Sequence, residues 1–291
     1  MKVVTYNIQW GKGRDGRIDL DRIGRTIADA DVIALQEVER NWREQEFPDQ
    51  VSRLAQLLPE FEWVYGPSLD LTAGLSKPRR QCGNMVLSRH TISSTRTIPL
   101  PAHPVHGHMN DQQSMIEAVI NFGEGAFRIY NVHLNYLSQR QRREQIALMK
   151  NFILSAPSNG AAITSPGKAT PGPEDDWIVL PDGKLPLMPA SAILLGDFNA
   201  EPNSPEYSDI AGELNPIYGR LTEPSGFADV LSLAGKKESE GITFPGTHLE
   251  QNLRLDHCFV SMDLITSVKQ AWIDNDAVGS DHQPVWAEFT L

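Results

Sequence analysis

Nine polar residues stand where apolar runs of this chain break off or begin: Asn7, Glu37, Asn84, His133, Asp197, Asn199, Asp256, Asp281 and His282. A set rich in carboxylates and amides suits a hard divalent cation such as Mg2+, with Mn2+ as its substitute. Such an ion takes few protein ligands and keeps water and substrate phosphate in the rest of its shell. No Cys and His cluster of the zinc type competes at these positions. Phosphoester hydrolysis needs a metal to neutralise phosphate, a base for water, and donors for the charge that builds on the phosphoryl oxygens, and this set can fill all three posts. The clearest stretch is Ser191 to Pro202, SAILLGDFNAEP. Its apolar run, Ala192 to Leu195, delivers Asp197 and Asn199 to the edge of a buried strand, two residues apart and able to face one ligand, and Gly196 reads as the point where the backbone turns tightly.

These residues need elements to bring them together. Val3 to Ile8 reads as a strand that ends at Asn7, Asp19 as the N-cap of a helix with Leu20, Ile23 and Ile27 on one face, and Val32 to Leu35 as a strand with Gln36 and Glu37 at its end. Val51, Leu54 and Leu58 keep helical spacing until Pro59, and Phe61 to Tyr65 follows as a strand. A polar loop holding Lys77, Arg79 and Arg80 precedes the strand Gly83 to Ser88, which opens at Asn84. Strands at Ser114 to Asn121 and Ala126 to Val132, turned by Gly123 and Gly125, lead directly to His133. Ser138 with Gln141 has the spacing of a capping box for a helix that buries Ile146, Met149 and Ile153. Seven prolines between Pro157 and Pro189 mark residues 156–190 as an irregular insertion, a lid or surface excursion. From the GDFN run to Phe244 the chain reads as loop-rich, and it closes with strands at Leu255 to Val260, Val268 to Ile273 and Val285 to Phe289.

Composition narrows the partners. At 291 residues, 40% of them hydrophobic, the chain can hold one large α/β domain or two small ones. Its 26 Lys and Arg face 37 Asp and Glu, a net charge of −11. The molecule as a whole therefore repels polyanions, and nucleic acid would need a local basic groove, for which Lys12, Arg14, Arg17, Lys77, Arg79 and Arg80 in two loops are the candidates. The first residues lack the apolar stretch of a signal peptide and no run is long enough to span a membrane, which reads as a cytoplasmic protein. Cys82 and Cys258 read as two small buried residues, and His103, His106 and His108 as a solvated, proline-bearing loop.

Seven stretches, TYNIQWG, ALQEVE, GNMVLSR, NVHLN, LLGDFNAEP, RLDHCFVS and GSDHQPVW, carry these polar residues. In order and spacing the series resembles the motifs of the endonuclease/exonuclease/phosphatase superfamily, which includes pancreatic deoxyribonuclease, exonuclease III, neutral sphingomyelinases and inositol phosphatases. The resemblance runs from Asn7 to Trp286. It implies a single α/β domain of residues 1–291, a four-layer α/β/β/α sandwich of two mixed β-sheets packed face to face with helices outside, and a divalent metal at one end. It makes Glu37 the principal metal carboxylate, with Asn7 beside it and Asp281 completing or flanking the site. Asp197 would orient or deprotonate the attacking water, and Asn199 would hold a phosphate oxygen. His282 would meet the scissile phosphate as electrostatic partner or acid/base, with Asp256 fixing its tautomer and favouring the charged ring. His133 matches members that set a histidine on the phosphate or leaving group, which tilts the reading towards phosphodiesters. Asn84 falls on the glycine–asparagine step as a phosphate contact or a support behind one, and His257 is structural. Arg79 and Arg80, singled out by their charge and not by the resemblance, are candidates for a further phosphate contact or ordinary solvated charge.

The implied function is a divalent-metal-dependent phosphoester hydrolase, a phosphodiesterase acting on a small or lipid-derived substrate. A nuclease on DNA or RNA is the alternative, which the acidic charge disfavours. A catalytically silent binding scaffold is a third, opposed by the intact acids and His282. The proline-rich insertion and the short loop near Trp10 have no counterpart in the family pattern, and substrate choice is expected to reside there.

Overall fold

A computed structural model describes residues 1–44, 46–164, 185–246 and 251–290. In chain order the elements are β1 (Lys2–Asn7), α1 (Leu20–Ile27), β2 (Val32–Arg40), α2 (Gln50–Leu57), β3 (Glu62–Leu71), β4 (Arg80–Ser88), β5 (Ile92–Pro99), β6 (Ser114–Phe122), β7 (Gly125–His133) and α3 (Gln139–Asn159). There follow β8 (Ala192–Asp197), α4 (Pro205–Ala211), β9 (Glu213–Asn215), β10 (Gly219–Leu221), β11 (Phe227–Asp229), α5 (Val230–Leu233), β12 (Asp256–Ser261), β13 (Val268–Ile273) and β14 (Val285–Phe289). They build two six-stranded mixed sheets, ordered β13-β14-β1-β2-β4-β3 and β11-β12-β8-β7-β6-β5. Each sheet has one parallel pair at its centre, β1 with β2 and β7 with β8.

Alternation along the strands sorts the side chains into layers, because successive residues of a strand face opposite ways. Val3, Val32, Ala34 and Val86 of the first sheet pack against Ile116, Ile129, Ile193 and Leu195 of the second. Their neighbours Val4, Tyr6, Ile33 and Leu35 face outward onto Leu20, Ile23 and Ile27 of α1 and Val51 and Leu54 of α2. On the far side Tyr130, Val132 and Leu194 meet Ile146, Met149 and Ile153 of α3 and Tyr207 and Ile210 of α4. The result is the α/β/β/α order. Each of these large apolar side chains contributes about 1.5–3 kcal/mol by leaving water, so the sandwich is a rigid frame for whatever stands at its rim.

Several local expectations are corrected. The stretch from the GDFN run to Phe244 is not merely loop: α4, β9, β10, β11 and α5 form there, α4 starting with Pro205 behind the capping hydroxyl of Ser204. Helix α3 continues to Asn159, through the first residues assigned to the insertion, and its Pro157 lies in the last turns; residues 165–184 of that insertion lie outside the described residues. The capping box is half made. Ser138 Oγ accepts from Gln141 N at 3.3 Å, but Ser138 N donates to Asn135 Oδ1 and the Gln141 side chain is taken by His103 N and Asn110. Cys82 is half-buried, Cys258 is buried, and both are free thiols. Among the described residues no helix is long and apolar enough to cross a membrane.

Candidate active site

The strand order of the second sheet sets His133, Asp197 and Asp256 side by side. His133 is opposite Asp197 across the parallel β7–β8 pair, and Asp197 is opposite Asp256 across β8–β12. Gly196 serves this contact rather than a tight turn. A side chain there would put its Cβ 1.9 Å from Val132 O, so only glycine lets β8 approach β7 as it carries Asp197 to the rim. The first sheet supplies the facing residues. Asn7, buried at the end of β1, donates through Nδ2 to Glu37 Oε1 at 3.0 Å and to Asp197 Oδ2 at 2.9 Å, bridging the two sheets. Gln9 Nε2 holds Asp281 Oδ2 at 2.6 Å.

Glu37 does not end its strand as the sequence suggests; it sits inside β2 at a bulge. The β2–β4 register jumps from Leu35–Met85 to Val38–Gly83, and Glu37 takes φ +57. A left-handed non-glycine residue costs about 1–3 kcal/mol and persists only where its surroundings over-determine it. Two buried amides do so here. Gln36 Nε2 reaches Thr5 Oγ1 at 3.0 Å and Asn131 Oδ1 at 2.7 Å, while Asn131 Nδ2 donates at 2.9 Å to the carbonyls of both Leu35 and Met85. Asn131 belongs to the other sheet, and it caps the two strands where their ladder breaks. The bulge is thus pinned and Glu37 is aimed into the cleft. The sequence sets Gln36 at the strand end without a role and does not single out Asn131; the available signal is an amide inside each otherwise apolar strand.

His282 Nδ1 meets Asp256 Oδ2 at 2.7 Å, and its Nε2 lies 3.7 Å from Asp197 Oδ2. His133 Nε2 approaches the same Asp197 oxygen at 3.6 Å. Burial, the largest single influence, pushes the His282 ring down, but the carboxylates of Asp256 and Asp197 and the hydrogen bond to Asp256 outweigh it and hold the ring up at about 10. Burial also raises Asp256, so the pair as a unit keeps one proton firmly. Asp281 is pushed up by burial, opposed by His282 and reinforced by the charge of Glu37. Asp197 Oδ1 is tied by Asn199 N at 2.9 Å, and Asn199 itself, at φ +49, donates to Leu134 O.

Glu37, Asn84, His133, Asp197, Asn199, Asp281 and His282 line one cleft of about 420 Å3. Asn7 and Asp256 stand behind it, bonded to residues that line it. Asn84 is within β4 rather than at its start, and its amide is spent on Ser114 O at 2.9 Å. Arg79 and Arg80 are not brought to the cleft: Arg79 pairs with Asp70 at 2.6 Å, and Arg80 opens β4. His103 pairs with Glu144 on the surface. His257 is buried behind the site, packed on Phe198, Tyr207 and Phe259.

Two groups could hold a cation. Asp197, Asp256 and His282 have ligand atoms within 4.8 Å of one another. A charged imidazole, however, has no lone pair for a metal, so this trio is better suited to holding a proton. Glu37 and Asp281 line the same cleft and the charge of Glu37 is one of the forces raising Asp281, so their oxygen chemistry fits a hard divalent ion. Asn7 turns its amide nitrogen to Glu37 and its oxygen to Gln9 N at 3.0 Å.

The sequence model of the Endonuclease/Exonuclease/phosphatase family matches residues 4–282. The chain belongs to that family. Solved structures agree on the fold across its length. An endonuclease/exonuclease/phosphatase family protein from Leptotrichia buccalis has a TM-score of 0.66 at 20% identity, with 100% of both chains covered. A mannosyl-6-phosphatase from Bacteroides thetaiotaomicron gives 0.62 at 18% identity, also over 100% of both chains. A humanized D. rerio TDP2 gives 0.58 at 17% identity, covering 100% of this chain and 99% of that one. At such identities the likeness is one of fold. No curated protein sequence matches this family member.

Proposed function

We propose that this protein is a divalent-metal-dependent phosphodiesterase that hydrolyses a small or lipid-derived phosphodiester, with Mg2+ as the metal and Mn2+ as a substitute. The observation that carries the reading is the convergence on one carboxylate oxygen, Asp197 Oδ2, of Asn7 at 2.9 Å, His133 at 3.6 Å and His282 at 3.7 Å. Glu37 and Asp281 would hold the cation, with Asn7 beside them steadying Glu37 and Asp197, and the ion would supply Lewis acidity toward a phosphoryl oxygen. Asp197, fixed through its other oxygen by Asn199, is placed to orient water and accept its proton. The charged His282 ring, steadied at Nδ1 by Asp256, presents its Nε2 proton to phosphoryl charge as it develops. His133, partly exposed on the other flank of Asp197, is placed for the leaving group.

The charge of the cleft favours a diester. Five acids line it, Glu37, Glu39, Asp111, Asp197 and Asp281, against Arg43, His133 and His282. A monoanionic diester meets less repulsion there than a dianionic monoester or a polyanionic strand. The test is hydrolysis of bis(4-nitrophenyl) phosphate, 4-nitrophenyl phosphate, mannose 6-phosphate and plasmid DNA, each with Mg2+, Mn2+ or EDTA. Metal-dependent cleavage of the diester above the others is expected. Preference for a monoester, or nucleic acid cleavage that collapses with salt, would sink the reading.

A further inference from the structure

One wall of the cleft has no task in this hydrolytic scheme. Arg43, in the turn after β2, lies over the Trp10 ring with its guanidinium carbon 3.8 Å from the ring centroid, and its Nε is 3.0 Å from Glu39 Oε2. Glu39 is 2% exposed, whereas the Arg43 side chain is 41% exposed. Gln50, buried at the start of α2, ties the two anchors together: its amide nitrogen donates to Trp10 O at 2.7 Å and its oxygen accepts from Glu39 N at 3.0 Å. Gln9, Trp10 and Asn41, in the segments that carry the platform and the arginine, take φ of +44, +46 and +55. Strain of this kind gathers where the surroundings impose a geometry.

A plain ion pair would look different. If Arg43 served only to neutralise Glu39, its fork would close on that carboxylate; instead one off-axis Nε contact leaves Glu39 Oε2 without an aligned donor. Neither terminal nitrogen of Arg43 meets an acceptor among the described residues. Held by Nε and by one face, the guanidinium keeps its outer edge for an outside partner, and a planar fork matches a carboxylate or a phosphate. Among the described residues Arg43 is also the single lysine or arginine lining the cleft.

We propose that Arg43, stacked on Trp10, is a specificity-determining residue that binds a second oxyanion of the substrate, a carboxylate or phosphate separate from the scissile phosphate. This rests on the hydrolytic reading of the neighbouring site. The test uses 4-nitrophenyl phosphodiesters whose other ester arm ends in a carboxylate, over a series of arm lengths, each beside its neutral methyl ester. The wild type should favour the carboxylate form at one arm length by about 10–100-fold in kcat/KM, the size of a charge-assisted contact. Arg43→Gln should bring that ratio close to unity and Arg43→Lys should leave it between, with thermal melts confirming that both fold. The same ratio in wild type and Arg43→Gln overturns the proposal, as does a wild type without preference at every arm length. If no diester is cleaved, the hydrolytic reading fails first, and calorimetric titration of inorganic phosphate in EDTA then decides on Arg43. Binding weakened about tenfold or more in Arg43→Gln supports the subsite; equal binding, or none to the wild type, overturns it.

Discussion

Two buried carboxylate–imidazole groups stand back to back across β12. Asp256 and His257 are consecutive, so one faces the cleft and the other faces the α4 layer. At the rear, Asp229 accepts Leu231 N at 2.8 Å and Tyr207 OH at 2.9 Å, pairs with Arg254, and lies 3.8 Å from His257 Nδ1. Burial pushes its carboxyl up, yet Arg254 and His257 prevail and hold it well below the usual range. At the front, Asp256 has His282 but leaves Oδ1 without a partner, and it shares the neighbourhood with the acid Asp197. The same residue types thus make opposite objects. The rear carboxylate spends both its oxygens on the protein and is architecture; the front group keeps uncompensated charge beside an open cleft, the condition in which a site can act on something else.

Breaking the rear group should cost stability and spare activity, whereas breaking the front group should cost activity first. The largest effect on activity is expected from His282→Asn, which should lower kcat for a diester about 10²–10⁴-fold, the usual worth of a positioned acid or base, and because it leaves Asp256 buried without its partner the urea midpoint should fall as well. Asp229→Asn should cost stability alone: leaving Arg254 buried without its partner costs about 3–5 kcal/mol in denaturant unfolding, with kcat of the folded protein largely kept. Loss of activity at full stability in Asp229→Asn would erase the distinction. The rear group also sets an acid limit. Since the folded value of Asp229 is depressed below its ordinary 3.8, its contribution is present above that pH and lost as pH falls toward the folded value. Wild-type stability should therefore fall below about pH 4 more steeply than that of Asp229→Asn, as urea titrations across that range would show. A smaller effect should follow Asn131→Leu, which frees the carbonyls of Leu35 and Met85 and loosens the bulge under Glu37. We expect kcat/KM to drop about 10–100-fold with a raised Mg2+ requirement. An unchanged Mg2+ requirement would mean that the bulge holds without its amide clamp.

Much of the front group was legible because its residues interrupt apolar runs, and an acid or amide after LLG or IAL has no reason to be buried on packing grounds. The layer order came from the resemblance of the motif series to a known family, not from the alternation along the strands. What escaped depends on pairing between distant segments. Glu37 looked like a strand end because the sequence does not announce a bulge whose cause, Asn131, lies 94 residues away on the other sheet. Gly196 looked like a turn because the approach of Val132 is invisible until β7 and β8 are side by side. Arg79 and Arg80 drew notice by charge alone, and charge does not say which neighbour takes it; Asp70 took Arg79. Arg43 was passed over for the same reason, since its value lies in Trp10, Glu39 and Gln50, which come from separate elements.

The most direct test of the account is the rate of bis(4-nitrophenyl) phosphate hydrolysis as Mg2+ is added back to chelated protein, for the wild type and Glu37→Gln. No turnover is expected in EDTA, full recovery with Mg2+ in the wild type, and in Glu37→Gln either silence or a requirement raised about tenfold or more. Turnover that persists in EDTA, or a Glu37→Gln curve that overlays the wild type, would contradict it.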